Sequence, residues 1–135
     1  MLIDWQQAPL THSIREDAPR RVVSGAHISV VRVVTAPTAR FDRVQHRHVN
    51  EQWLVVTSGT LRVICAGEEV EVGPGDVVYF PSESPHAAVG VGAEGAEYLE
   101  FSAPPRFDLL PGSVVPTPLG YDRDGAAGRP GERAC

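Results

Sequence analysis

The 135-residue sequence predicts an all-β domain, a small sandwich or barrel, and three observations carry that expectation. Runs of β-branched and aromatic residues are short and recur roughly every 8–12 residues. Gly and Pro stand at the joints between them. No stretch shows the apolar period of about 3.6 residues that an amphipathic helix needs.

Taken in order, residues 1–24 read as an N-terminal arm and a first strand. Residues 1–18 mix Trp5, Gln6, Gln7 and Pro9 with charges and show no period, and the segment Arg20–Ser24 then reads as a short strand. Residues 27–35 are too rich in β-branched side chains to be anything but a strand. A Pro37-containing connection follows at 36–43. Next, the strand that carries His46, His48 and Gln52 runs on through 52–57 and makes a hairpin with its partner, 60–65, with the turn at Ser58-Gly59. Residues 69–72 alternate and so have one wet face, 73–76 turn the chain, and Val77–Phe80 is a buried strand. His86 opens another strand, and residues 96–102 are the last. The barrel thus spans 25–110. Residues 111–135 form a Gly/Pro-rich tail whose main apolar side chains are Val114, Val115, Leu119 and Tyr121, expected as an extended arm without chemistry of its own.

Bulk properties narrow the function classes. The net charge is −5 and the arginines are scattered, so neither nucleic acid nor an anionic membrane is the expected partner. No apolar run approaches the ~20 residues of a membrane span, and residues 1–10 carry no basic-then-apolar signal segment. A cytoplasmic protein is expected. Cys65, inside a strand pattern, and Cys135, at the last position, suit a reducing compartment, with no disulfide between them expected.

The chemistry concentrates in His46-Arg47-His48-Val49-Asn50-Glu51-Gln52. Side chains alternate along an extended strand, so His46, His48 and Gln52 share one face while Glu51 points to the other. Imidazoles gathered on one inward face are what a borderline divalent cation needs, and His86, delivered by a turn, a short strand and a second turn, is the fourth candidate ligand. Three neutral imidazoles and a neutral amide leave the cation's charge uncompensated. They therefore favour anionic or enolisable oxygen ligands, with open positions left for them. With no thiolate in the set, Fe, Zn, Ni and Mn all fit.

Together these residues resemble the two motifs of the cupin superfamily over residues 29–107. His46, His48, Gln52 and Gly59 match the first motif. Pro74, Gly75, Asp76, Pro81 and His86 match the second, with Glu83 standing where the family usually has Gly. The resemblance implies a double-stranded β-helix, the cupin jelly-roll barrel, holding one divalent metal ion. A narrower resemblance joins Glu100-Phe101-Ser102-Ala103-Pro104-Pro105-Arg106 to the closing strand of the small cupins that open the ring of unsaturated uronates. It implies Glu100 as the catalytic-type carboxylate and Arg106 as a substrate-side arginine, with Ser102 replacing an aromatic residue.

Read from the residues alone, the closing strand leaves two orientations open. Tyr98, Glu100 and Ser102 share one face, Leu99 and Phe101 the other; the polar face inward makes Glu100 a general base beside the metal, the apolar face inward makes it a solvated carboxylate. If Gln52 points inward, Trp53 and Val55 point out and need a cover, either the N-terminal segment or a second copy in a homodimer. Substrate contacts are expected at the barrel mouth from Arg32, Arg43, Arg62 and Tyr98.

The function that follows is a non-redox metal enzyme acting on a small oxygen-rich molecule. It would perform isomerisation, ring opening, cyclisation or lyase chemistry, with Glu100 or Tyr98 moving a proton. The resemblance also admits an iron(II)-dependent dioxygenase and, third, a non-catalytic small-molecule-binding cupin.

Overall fold

A computed structural model describes residues 1–122. Nine strands follow one another: β1 (Leu10–Thr11), β2 (Arg20–Ser24), β3 (Ser29–Thr35), β4 (Gln45–Arg47), β5 (Glu51–Cys65), β6 (Glu68–Val72), β7 (Val77–Phe80), β8 (His86–Ala103) and β9 (Gly120–Asp122). A single 3₁₀ turn, Phe107–Leu109, is the one helical element among the described residues, and no helix there is long and apolar enough to cross a membrane.

All the pairings are antiparallel, and they resolve into two faces because β5 and β8 serve both. The first half of β5 and the second half of β8 pair with each other and with β7 and β3. The second half of β5 and the first half of β8 pair with each other and with β6 and β4. The result is the cupin-type jelly roll expected from the sequence. Strict alternation on β3, where Val31 and Val33 are buried and Val30, Arg32 and Val34 are not, aims one side of each strand into the core. Val22, Val31, Val33, Leu54, Val56, Leu61, Val63, Val72 and Phe80 fill the space between the faces.

Two expectations fail at the same corner. The hairpin turn expected at Ser58-Gly59 is absent: β5 runs unbroken for 15 residues, and β8 runs for 18 residues instead of forming two strands. Gly59 and Gly95 explain why. Both sit at left-handed φ, +70° and +73°, and a Cβ on Gly59 would lie 2.1 Å from the Gly95 carbonyl oxygen. The ladder slips its register on either side of Gly59, so these glycines bend the two strands around the barrel corner without ending them.

The described parts of the two terminal segments take definite places on the barrel. Trp53 does point outward, packed against Tyr79 with ring centroids 4.5 Å apart and the planes tilted by 31°, but the N-terminal segment does not cover it and it stays 45% exposed. That segment instead pairs through β1 with β2 and continues over the barrel mouth. The tail returns to the barrel as β9, which pairs with β4 and sets Tyr121 opposite His46. Cys65 is buried and is not a free thiol; the expectation about Cys135, and the end of the tail, fall outside the described residues.

Candidate active site

The four candidate ligands converge, though not from one strand. β4 ends at Arg47 and the chain bends before β5 begins at Glu51, so His46 lies on β4, His48 in the bend and Gln52 on β5. The bend is pinned from three sides. The Asn50 amide donates to the Pro104 carbonyl, the Ser82 hydroxyl donates to the Val49 carbonyl at 2.6 Å, and the Glu83 N–H donates to the His48 carbonyl at 2.8 Å. His86 sits directly opposite His46 in the β4–β8 ladder. Even parity survives the bend, which is why the spacing was readable.

The ligand-capable atoms of His46, His48 and His86 lie within 4.8 Å of one another, so the three histidines are positioned to bind a metal ion. Hydrogen bonds fix which nitrogen faces the centre. The Nδ1 atoms of His48 and His86 lie 2.8 Å and 2.9 Å from the carbonyls of Asn50 and Ser84, and a carbonyl can only accept, so Nδ1 carries the proton in each ring. The Nε2 lone pairs are left for the cluster. His86 Nε2 is buried with no hydrogen-bond partner among the described residues, and His48 Nε2 faces Gln52 Oε1, another acceptor, at 3.2 Å. Acceptors aimed at acceptors call for a cation between them, so the donor set fits a divalent metal. Burial, reinforced by the neighbouring rings, pulls His46 down to about 2, and burial pulls His86 down to about 4. Both imidazoles are therefore neutral at neutral pH, the form a metal binds. Phe80 stacks on His86 with centroids 4.4 Å apart and holds its ring in place.

The open question of the closing strand is decided by register. Gln52 pairs with Ser102, Leu54 with Glu100 and Val56 with Tyr98, all on the inward side. A cavity of about 60 Å³ is lined by His46, Gln52, His86, Tyr98, Glu100 and Arg106. Leu99 and Phe101 are half-buried on the opposite side. The Glu100 carboxyl accepts no hydrogen bond from the described residues, and burial raises its pKa against the opposing pull of Arg20, Arg106 and Arg15. Burial, and then the Glu100 charge, push Tyr98 up to about 12, so its hydroxyl keeps its proton. Arg106 is buried and donates through Nε and Nη2 to both Asp108 carboxylate oxygens at 2.8 Å, which fixes the plane of its guanidinium.

Of the expected mouth residues only Tyr98 lines the cavity. Arg32 pairs with Glu97 at 3.0 Å, and Arg43 and Arg62 pair with Glu69 at 2.8 and 3.8 Å, on the outside of the barrel. The arginines that reach the cavity besides Arg106 are Arg15 and Arg20, joined at the rim by His12 and Tyr121. Local pattern could not have found them, because they come from terminal segments that only the fold brings over the mouth. Glu51, as parity required, is turned away and accepts a hydrogen bond from the Tyr79 hydroxyl at 3.2 Å.

The model of the cupin domain matches residues 32–102, more than half of the chain. The chain belongs to the cupin family. No curated protein matches it. Solved cupin structures do. KdgF from Halomonas sp. is 19% identical at a TM-score of 0.68, covering 82% of this chain and 98% of that one. An RmlC-like cupin from Shewanella frigidimarina is 19% identical at 0.66, covering 81% and 95%. The polyketide cyclase RemF from Streptomyces resistomycificus is 16% identical at 0.63, covering 76% and 78%. At these identities the likeness shows the fold. The matched region of this cupin contains all four candidate ligands with Tyr98 and Glu100, and leaves out Arg15, Arg20, Arg106 and Tyr121. One departure from the family pattern has a visible geometric consequence. Glu83, where cupins usually carry Gly, sits at φ +63°, in the left-handed region that favours glycine.

Proposed function

We propose that this cupin is a metal-dependent enzyme that moves a proton on a small oxygen-rich molecule, in a non-redox isomerisation, ring opening, cyclisation or elimination. The observation that supports it most is the Glu100 carboxyl, without a hydrogen bond from the described residues, in the small cavity lined by His46 and His86 of the histidine cluster. His46, His48, Gln52 and His86 would hold the ion, which when bound supplies Lewis-acid stabilisation of charge developing on a substrate carbonyl or carboxylate oxygen. Glu100 is the proton acceptor: desolvation raises its basicity, and no donor among the described residues competes for its lone pairs. Tyr98, held protonated, is suited to donate a hydrogen bond or return the proton. Arg106, with its plane set by Asp108, orients the substrate from the cavity wall.

An iron(II) dioxygenase would use the three histidines but has no need of a buried base, and a binding module needs neither. Incubating the metal-loaded protein anaerobically in D₂O with small 2-oxo and 2-hydroxy acids separates the three. Deuterium appearing on the carbon next to the carbonyl or carboxylate supports the proposal. In a parallel aerobic incubation, substrate-dependent oxygen uptake that requires iron(II), with no exchange in the anaerobic one, favours the dioxygenase. Binding without either leaves a binding module.

The outer face fits self-association. Register aligns Tyr79, Trp53, Phe101 and Val30 in one row and Val77, Val55 and Leu99 in the next, and Val77 is 57% exposed. We assign this face to a second copy of the chain in a homodimer.

A further inference from the structure

We propose that Arg15 and Arg20 form the seat for a carboxylate group of the substrate, placed over the metal-ligand cluster by the N-terminal segment; the proposal deepens the functional reading above and rests on it. Both side chains line the cavity that holds His46, His86 and Glu100, and Arg15 also borders an outer vestibule of about 510 Å³. Both are held in place without being neutralised. Arg20 donates from Nε at 3.1 Å and from Nη2 at 2.7 Å to the His12 carbonyl, which fixes the guanidinium plane and leaves Nη1 unused. Arg15 lies over the Phe41 ring, its guanidinium carbon 4.4 Å from the centroid.

Charge accounting makes the seat specific. Arg32, Arg43, Arg62 and Arg106 each lie within ion-pair distance of a carboxylate; among the described residues Arg15, Arg20, Arg21 and Arg40 do not, and of these four only Arg15 and Arg20 line the cavity. Glu100 is the acidic group lining the cavity, and it influences both arginines from beyond ion-pair distance. Arg20 bears the cost of this arrangement: burial lowers its pKa, and Glu100 offsets that only in part. A half-buried pair of fork-shaped donors beside a site for a divalent cation is matched by a planar anion whose second oxygen function can reach the metal. That describes a small carboxylic acid with a carbonyl, hydroxyl or second carboxyl group close by. A neutral sugar or a fused aromatic ring does not fit it.

The test is calorimetric titration of the full-length, metal-loaded protein with malonate and pyruvate, and with malonamide as the neutral counterpart. Malonate and pyruvate should bind and malonamide should not. Arg15→Gln and Arg20→Gln should each weaken malonate binding about tenfold or more, the loss of one charge-assisted hydrogen bond, with metal content unchanged. Because Arg20 is part-buried, Arg20→Lys serves as a second variant that keeps the charge without the fork, and it should fall between wild type and Arg20→Gln. Malonate binding that is equal in wild type and both glutamine variants overturns the proposal. So does malonamide binding as well as malonate, or failure of both acids to bind the wild type. Should the protein hold no metal yet bind malonate in an Arg15- and Arg20-dependent way, the metal reading fails and the anion seat stands.

Discussion

His46 and His86 face each other directly across the β4–β8 ladder, with ring centroids 4.5 Å apart. β4 is only three residues long and is held on its other edge by β9. The histidine cluster therefore depends on a short strand clamped between β8 and a segment returning from the C-terminal side. His48, in the pinned bend, completes the group, and Nδ1–H bonds to backbone carbonyls aim Nε2 of His48 and His86 inward.

Replacing Glu100 by Gln keeps the shape of the cavity wall and removes the base. The variant should fold with unchanged metal content and lose about 10²- to 10⁴-fold in kcat, the usual contribution of a positioned base. Steady-state kinetics beside metal analysis checks both halves. Equal kcat in wild type and variant would remove Glu100 from the chemistry.

The barrel corner should be intolerant of a methyl group. Gly59→Ala must place a Cβ 2.1 Å from the Gly95 carbonyl oxygen at a left-handed φ, and should cost about 3 kcal/mol or more. Gly67 is a matched control: its φ is +86° but nothing lies within 4 Å of a Cβ there, so Gly67→Ala should cost only about 1 kcal/mol. Urea denaturation of the two variants makes the comparison.

Glu83→Gly should act in the opposite direction. At φ +63° the glutamate bears a left-handed backbone penalty that glycine avoids. After allowing for glycine's larger entropy loss on folding, the variant should gain about 0.5–1 kcal/mol. A rise in the urea midpoint with the histidine site intact is the expected result.

Acid should destabilise the metal-free protein through the histidine cluster. His86 titrates at about 4 and His46 at about 2 in the folded chain, against an ordinary value of 6.5. Below 6.5 the unfolded chain takes up protons that the folded chain refuses, so stability should fall as pH drops from 6.5 towards 4. Melting temperatures of the metal-free protein across that range test this, and His86→Phe should flatten the slope.

How much of this was legible in the sequence follows from what each signal depends on. β-Branched and apolar runs are a local signal, so β2 and β7 came out with their true bounds, although β7, expected as a buried strand, buries only Phe80; the even parity of His46, His48 and Gln52 survived although the chain bends between them. The corner at Gly59 was misread because a turn glycine and a bend glycine look alike along the chain; the close approach of Gly95 tells them apart, and that is tertiary. Register across β5 and β8 was likewise needed to turn Tyr98 and Glu100 inward. The mouth was the least readable part. Arg32, Arg43 and Arg62 found acidic partners outside, while Arg15, Arg20 and Tyr121 arrived from the two terminal segments.

The most direct test of a metal-centred site is the metal content of the purified protein by mass spectrometry, for wild type, Gln52→Ala and His86→Ala. About one divalent ion per chain in the wild type, emptied by His86→Ala and weakened by Gln52→Ala with the fold intact, is the expected result. A wild-type protein that holds no divalent ion even after reloading, or a His86→Ala variant that retains it fully, would contradict the assignment of these four residues as the metal site.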